Sequence, residues 1–444
     1  MRMVSLKYYL LTILALMVFG VPAISSRFSS QVGEIANVFS NATNQLATVI
    51  LSHNPKSVAD IQADYLSANS TIFSTTSTVT TDSANSTTTN KVRILLVPGH
   101  EPNYGGAEYA NIKERNMTVE LAQNLSDFLG NDSHYQVFVT RDSSDWSPVF
   151  VDYFKNDWQS IVDWENVSIR DMAQRISIGS STKPIQTVSH NRVPNDVATR
   201  LYGITKWANE NNIDITIHIH FNDDTEHPAN QAGKHTGFAI YIPQHQYANG
   251  TTSRDIAETV FKRLSKYNPV SDLAGESTGI IEDSDLIAIG ANNTADSASM
   301  LIEYGYIYES QFNNLDTSSI ALKDLAYQTY LGLQDFFDPT DSVATGSVAT
   351  VRAYDTVALP HSWIRVVSDK NTQNADVFSL QSALLADGEY PPASKNISQC
   401  PRTGSFGACT RSALQVFQKK NNITGEKGIV GEKTLEALNR NYGF

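Results

Sequence analysis

Val92-Arg93-Ile94-Leu95-Leu96-Val97 is an apolar run interrupted only by Arg93, and it stops at Pro98-Gly99. A short apolar run closed by a turn signal reads as a buried strand. Working outward, 117–129 shows helical spacing and 135–140 reads as a second strand. Helical patterns follow at 197–209, 253–267 and 320–337, with strand patterns between them at 213–221, 237–242 and 299–306. Strands alternating with helices predict an α/β domain over 91–338, a mostly parallel sheet flanked by helices.

The rest of the 444 residues falls into pieces of different character. Arg2 and Lys7 precede an apolar run from Tyr8 to Ile24, the pattern of an export signal. At about 17 residues the run is at the short limit for crossing a bilayer. Cleaved signal and retained membrane anchor both stand, with 1–28 as the segment concerned. In either case the basic residues keep the N-terminus inside and send the remainder out. Residues 29–90 read as a stalk, with some helical character early and almost only Ser, Thr and Asn from 70 to 90. A second linker is expected over 339–375, and a small all-α module over 376–444.

Bulk properties narrow the partners. A net charge of −13 argues against a nucleic-acid binder, which needs a basic stripe to meet phosphates. Cys400 and Cys409 are the only cysteines. In an exported chain two nearby cysteines predict one local disulfide, which would help so small a module to hold its fold. A metal site is the alternative, but two sulfurs with no histidine nearby give zinc too few ligands.

Three residues at element ends have the chemistry of a catalytic zinc set. His100 follows the first strand, Glu114 stands ahead of the first helix, and His220 lies near the end of a later strand. Two histidines and a carboxylate leave one position open for water. The ends of strands are also where open α/β sheets build their sites. Spacing by itself says little, since the three are scattered and each histidine alone reads as an ordinary loop or core residue.

The neighbouring residues add to this. Ile94-Leu95-Leu96-Val97-Pro98-Gly99-His100 is followed by Gly105-Gly106-Ala107; Glu114 precedes Met117-Thr118-Val119-Glu120-Leu121-Ala122; Asp214 to Asn222 reads Asp-Ile-Thr-Ile-His-Ile-His-Phe-Asn; Met300 to Tyr306 reads Met-Leu-Ile-Glu-Tyr-Gly-Tyr. With these four blocks in order, 91–338 resembles the zinc-dependent N-acetylmuramoyl-L-alanine amidases of cell-wall remodelling. The resemblance implies Zn2+ held by His100, Glu114 and His220, with Glu303 as the catalytic carboxylate. Two positions depart from the family pattern. Val97 stands where the family often has a polar residue, and His218 where it usually has Ser. His218 shares a strand face with His220; it reads either as a group orienting a ligand or as a buried histidine without a role. Arg200 and Asn209 match an Arg and an Asn of the family that hold local geometry, with a substrate role also open for Arg200. Asn222 keeps the register of the third block.

The C-terminal piece resembles a three-helix peptidoglycan-binding domain. The likeness rests on Val377-Phe378-Ser379-Leu380-Gln381, Leu384-Leu385, Gly404-Ser405-Phe406-Gly407, the run from Ala413 to Gln418, Gly428-Ile429-Val430-Gly431 and Thr434-Leu435. It implies peptidoglycan as partner and an enzyme tethered to its polymer. The expected activity is hydrolysis of the amide between N-acetylmuramic acid and L-alanine by an exported protein. A zinc stem-peptide endopeptidase and a non-catalytic wall-binding protein are the alternatives.

One stretch has no counterpart in that pattern. Residues 142–196 intervene between a strand and the helix bearing Arg200, and carry Trp146, Phe150, Tyr153, Phe154, Trp158 and Trp164. So long a connection reads as a subdomain that packs its own aromatics, or as a substrate platform or gate over the metal.

Overall fold

The opening run is strand β1 (Val92–Pro98), buried throughout except at Arg93. The computed structural model describes residues 53–69, 90–338 (apart from 186, 189, 191, 225, 226 and 229), 358–365 and 373–443. Helix α1 (Val58–Asn69) precedes β1; the short hairpin β2 (Glu108–Tyr109) and β3 (Ile112–Lys113) leads into helix α2 (Glu114–Gly130). Then come β4 (Tyr135–Val139), α3 (Pro148–Ser177), α4 (Asn195–Glu210), β5 (Ile215–Asn222), β6 (Ala239–Ile242), α5 (Gly250–Tyr267), β7 (Ile280–Glu282), β8 (Ala298–Tyr306) and α6 (Leu315–Phe337). Six strands form one sheet in the order β4-β1-β5-β8-β6-β7. All neighbours are parallel except β6 and β8. The mostly parallel sheet flanked by helices is the expected one.

Alternation along each strand divides the core in two. Ile94, Leu96, Ile217, Ile219, Met300 and Ile302 face one way, into the cluster that includes Leu121 of α2, Val260 of α5 and Leu325 of α6. Leu95 and Val97 face the other way, onto Ile204 and Trp207 of α4 and Phe150 of α3. A parallel sheet needs such cover on both faces. By the same alternation His218, His220 and Glu303 lie on the α4 face, and that places the site.

Two segments differ from the linker readings. Part of the expected stalk belongs to the catalytic core: Ile61 and Tyr65 of α1 are buried in the main cluster, and Tyr65 stacks on Phe337 at 4.4 Å. The Lys56 ammonium lies 2.9 Å from the fully buried carboxylate of Asp214. Four residues apart on a helix, Ile61 and Tyr65 share a face, and burying that face offsets the ordering of α1. In the expected second linker, Trp363 is buried in the C-terminal core and Leu359 in the catalytic one. The Ser/Thr-rich run 70–89 and the apolar run 8–24 lie outside the described residues. Among the described residues no helix is long and apolar enough to cross a membrane.

The module is helices α7 (Ala375–Ala386), α8 (Ala408–Lys420) and α9 (Glu432–Tyr442). The Cys400–Cys409 disulfide is formed as expected. His53–Phe444 is one compact unit, with the module seated on the catalytic domain. Arg402 makes the joint. Its guanidinium lies 2.7 Å from the Asp324 carboxylate of α6, both side chains 1% exposed. It donates to the Tyr267 carbonyl and to Ser382 Oγ, and sits between the rings of Tyr267 (5.0 Å) and Phe378 (4.8 Å).

Candidate active site

Four segments deliver the site. β1 ends in Gly99-His100, and His100 sits in the left-handed region at φ 70°, rare for a side-chain-bearing residue and held only where surroundings fix it. Here they do. A Cβ on Gly99 would lie 2.4 Å from the His220 ring, so only glycine lets β1 pass that close. Arg141, just past β4, is buried beneath the turn and donates to the carbonyls of Gly99, Pro98 and Arg115. Burial lowers its pKa to about 10.

Glu114 opens α2, where the helix dipole favours an anion. Its side chain is 4% exposed. Oε2 accepts from the Ala107 amide at 2.8 Å and Oε1 from the Phe221 amide at 3.0 Å. His220 Nδ1 is 3.2 Å from Oε1. His100 Nε2 is 2.8 Å away but lacks hydrogen-bond geometry. Burial would raise the Glu114 pKa; the two imidazoles outweigh it and hold the carboxyl well below its ordinary value. The imidazoles stand edge-on, centroids 4.8 Å apart. One ligand atom from each of His100, Glu114 and His220 lies within 4.8 Å of the others. Two imidazole nitrogens and a carboxylate oxygen crowded so closely, with a buried nitrogen on His100 left over, fit a metal ion better than they fit one another.

The profile of a family described as N-acetylmuramoyl-L-alanine amidase matches residues 94–335, and that of a putative peptidoglycan binding domain matches 373–438. The chain belongs to the N-acetylmuramoyl-L-alanine amidase family. Similar solved structures include the N-acetylmuramoyl-L-alanine amidase from Clostridium difficile 630, with 18% identity, 56% of this chain and 99% of that one covered, and a TM-score of 0.36. The CwlD amidase from Clostridioides difficile, in complex with the GerS lipoprotein, has 15% identity, coverage of 56% and 100%, and a TM-score of 0.37. Ami1 from Mycobacterium smegmatis has 13% identity, coverage of 56% and 98%, and a TM-score of 0.37. No curated protein matches.

The protein is thus a peptidoglycan amidase that works outside the cytoplasm. Its remaining candidate residues separate clearly. Glu303 lies directly across from His220 in the pairing of β5 with β8. Its Oε2 is buried without a partner; burial first, then the charges of Glu114 and Glu276, raise its pKa well above the ordinary value. His218 pairs in register with Val97 and Leu301. Burial and the adjacent His220 pull its imidazole down to about 3, so it is neutral. Arg200 is held by Glu101 (2.7 Å) and Asp196 (2.6 Å). Asn209 ties α4 to the Thr294 carbonyl and the Asp296 amide. Asn222 donates to Glu276 at 2.9 Å.

Sequence reading missed Glu276 and Asp283. Glu276 is buried and accepts from Tyr241, Asn222 and Ser271 close to Glu303. Asp283 is fully buried beside His190. Both come from irregular segments without a periodic signal.

The aromatics of the 142–196 insertion are largely spent on packing α3 along α4: Phe150 lies 4.9 Å from Trp207, Trp146 5.1 Å from Phe154 and Trp164 6.2 Å from Tyr202. His190, Arg192 and Val193, between α3 and α4, line a cavity of about 390 Å3 together with α4, the sheet and the turn at 285–288, continuous with His100 and His220.

Proposed function

We propose that His100, Glu114 and His220 hold one Zn2+ and that Glu303 is the catalytic carboxylate for hydrolysis of the N-acetylmuramoyl-L-alanine amide. The observation that carries this is the convergence of the three ligand atoms beside a buried, unpartnered carboxylate one strand over. When bound, zinc supplies polarisation of the amide carbonyl and acidification of a water. Glu303 takes the water's proton and delivers it to the departing alanine nitrogen, so the amine leaves uncharged. Ala107 and Phe221 amides fix both oxygens of Glu114, leaving its remaining lone pairs for the metal. The C-terminal module keeps the enzyme on its polymer. The apolar run at 8–24 serves export, as a signal or as an anchor.

Stripping the purified chain with a chelator tests the metal. Activity on isolated cell wall falls to background and returns with one equivalent of Zn2+. Activity that survives metal removal, with no zinc by elemental analysis, contradicts the proposal.

A further inference from the structure

The C-terminal module contains one arrangement twice. Gln381 of α7 accepts from the Gly404 amide at 2.9 Å and donates to the Ser405 carbonyl at 3.0 Å and to Thr410 Oγ1 at 2.9 Å. Gln418 of α8 repeats the pattern one helix later. It accepts from the Gly428 amide at 2.8 Å and donates to the Ile429 carbonyl at 2.7 Å and to Thr434 Oγ1 at 3.0 Å. Gly404 and Gly428 both take the left-handed backbone, at φ 74° and 71°. Each buried amide locks a loop to its helix, so the two copies correspond residue by residue along α7 and α8. Phe378 corresponds to Gln415, Ser379 to Val416, Ser382 to Lys419 and Ser405 to Ile429.

The first of these equivalent faces is covered and the second is open. In the first copy Phe378 is buried in the core cluster of the catalytic domain, and Ser382 lies under Arg402, whose guanidinium reaches Asp324. A Cβ on Gly404 would lie 2.4 Å from Thr317 Cγ2, so α6 closes over that turn. In the second copy Gln415 and Lys419 are exposed, and Val416 and Ile429 are each 49% exposed. Ser379, the counterpart of Val416, is 5% exposed. Burial within the chain alone would select the opposite placement, with the aliphatic residue covered and the serine open. The open face is also basic. None of the 13 residues of α8 is acidic, and Arg411, Gln415 and Lys419 follow one another at one-turn intervals along it. Lys420 is paired with Asp387 and Glu389, whereas Lys419 has no ion pair among the described residues. Glu426, in the neighbouring loop, is spent on the Gly431 and Thr434 amides and the Thr434 hydroxyl.

We propose that the module grips peptidoglycan with this open face of its second copy, through Gln415, Val416, Lys419 and Ile429 with Arg411 at the edge, and that the equivalent face of its first copy is given over to the domain joint. This rests on the reading that the module keeps the enzyme on its polymer, and it says where on the module the polymer sits. The chemistry of the face matches. Peptidoglycan presents methyl groups, amides and carboxylates together. Val416 and Ile429 take the methyl groups, Gln415 pairs with an amide, and Lys419 and Arg411 meet carboxylates, which a chain of net charge −13 otherwise repels. A second copy of this chain is a poor occupant. The surface that such a face fits, around Thr317 and Asp324 of α6, is already filled by the chain's own module.

The test is co-sedimentation of the full chain with insoluble purified peptidoglycan, over a range of wall concentrations and at two ionic strengths, with chelator present so that the wall stays uncut. The wild-type chain pellets, and less strongly at high salt. Val416→Ser with Ile429→Ser gives the open face the serines of the covered one and weakens the apparent affinity by roughly tenfold, the scale of two half-exposed aliphatic side chains no longer buried against the polymer. Lys419→Glu weakens it severalfold and flattens the salt dependence. Lys395→Glu, the same charge reversal at an exposed loop position of the first copy, changes neither. The substituted positions are exposed, and unchanged melting temperatures confirm that the variants fold. A wild-type chain that pellets while the serine pair and Lys419→Glu pellet equally well overturns the face and leaves the module's wall reading standing. No pelleting by the wild-type chain overturns both. A wild-type dimer in analytical sedimentation that the serine pair abolishes, with wall binding unchanged, gives the face to a second copy and also overturns the proposal.

Discussion

Glu303 on β8 stands directly across from His220 on β5, and both side chains project from the α4 face of the sheet. Neighbouring parallel strands lie about 4.8 Å apart. The pairing register alone therefore brings a buried carboxylate beside an imidazole that also contacts Glu114 at 3.2 Å. The backbone of the sheet, rather than a flexible loop, sets the distance between the two.

From that geometry, Glu303→Gln retains fold and zinc and loses hydrolysis. An amide cannot accept and return the proton, and the expected fall in kcat is roughly 10²- to 10⁴-fold, the contribution of a positioned acid–base group. Turnover of cell wall near the wild-type rate would remove Glu303 from the reaction.

The two strand histidines behave differently. His220→Ala and His100→Ala lose the metal, read by elemental analysis of dialysed protein. His218→Ser keeps it, because His218 pairs with Val97 and Leu301, two residues before His220, and is not one of the three residues whose ligand atoms converge. Zinc lost from His218→Ser and retained in His220→Ala would exchange their roles.

The domain joint gives a stability prediction. Arg402→Met leaves the Asp324 carboxylate buried and uncompensated, at a cost of about 3–5 kcal/mol in chemical unfolding. Arg402→Met with Asp324→Leu recovers most of that loss, since an apolar pair has no charge to strand. A silent Arg402→Met would mean that the module is not held through this contact.

Glu426 makes part of the module's stability pH-dependent. Burial would raise its pKa, but donors from Thr434, Lys433 and Gly431 outweigh this and hold it below its ordinary value of 4.5. The unfolded chain then binds more protons just below pH 4.5. The stabilisation is complete above that pH and is lost as pH falls through the lower, folded value. Hydrogen exchange of α9 amides, corrected for intrinsic rate, loses protection over this window in the native chain. Glu426→Gln, expected to cost about 1 kcal/mol as a lost helix cap, flattens the dependence. An equal acid response in both proteins would rule Glu426 out.

Much of the site was legible because its residues lie at or near the ends of regular elements. His100 follows β1, Glu114 opens α2, and His220 and Glu303 follow apolar runs in the C-terminal halves of β5 and β8, where a strand's alternation fixes which face a side chain takes. Asp283, Glu276 and His190 were not legible as a group. They come from irregular segments, and only tertiary packing brings His190 to Asp283. The docking of helix α1 onto the catalytic core was hidden for another reason. Its apolar positions Ile61 and Tyr65 sit in a polar stretch, and their burial depends on Phe337, more than 270 residues away. Arg402 gave no signal either, since nothing local marks an arginine whose counter-ion lies on another domain.

The most direct test of the central claim is mass spectrometry of purified peptidoglycan digested by the zinc-loaded full chain. The account predicts intact stem peptides with a free L-alanine amino terminus, and glycan strands whose muramic acid keeps a free lactyl carboxylate. Stem peptides cut internally, with L-alanine still joined to muramic acid, would contradict it.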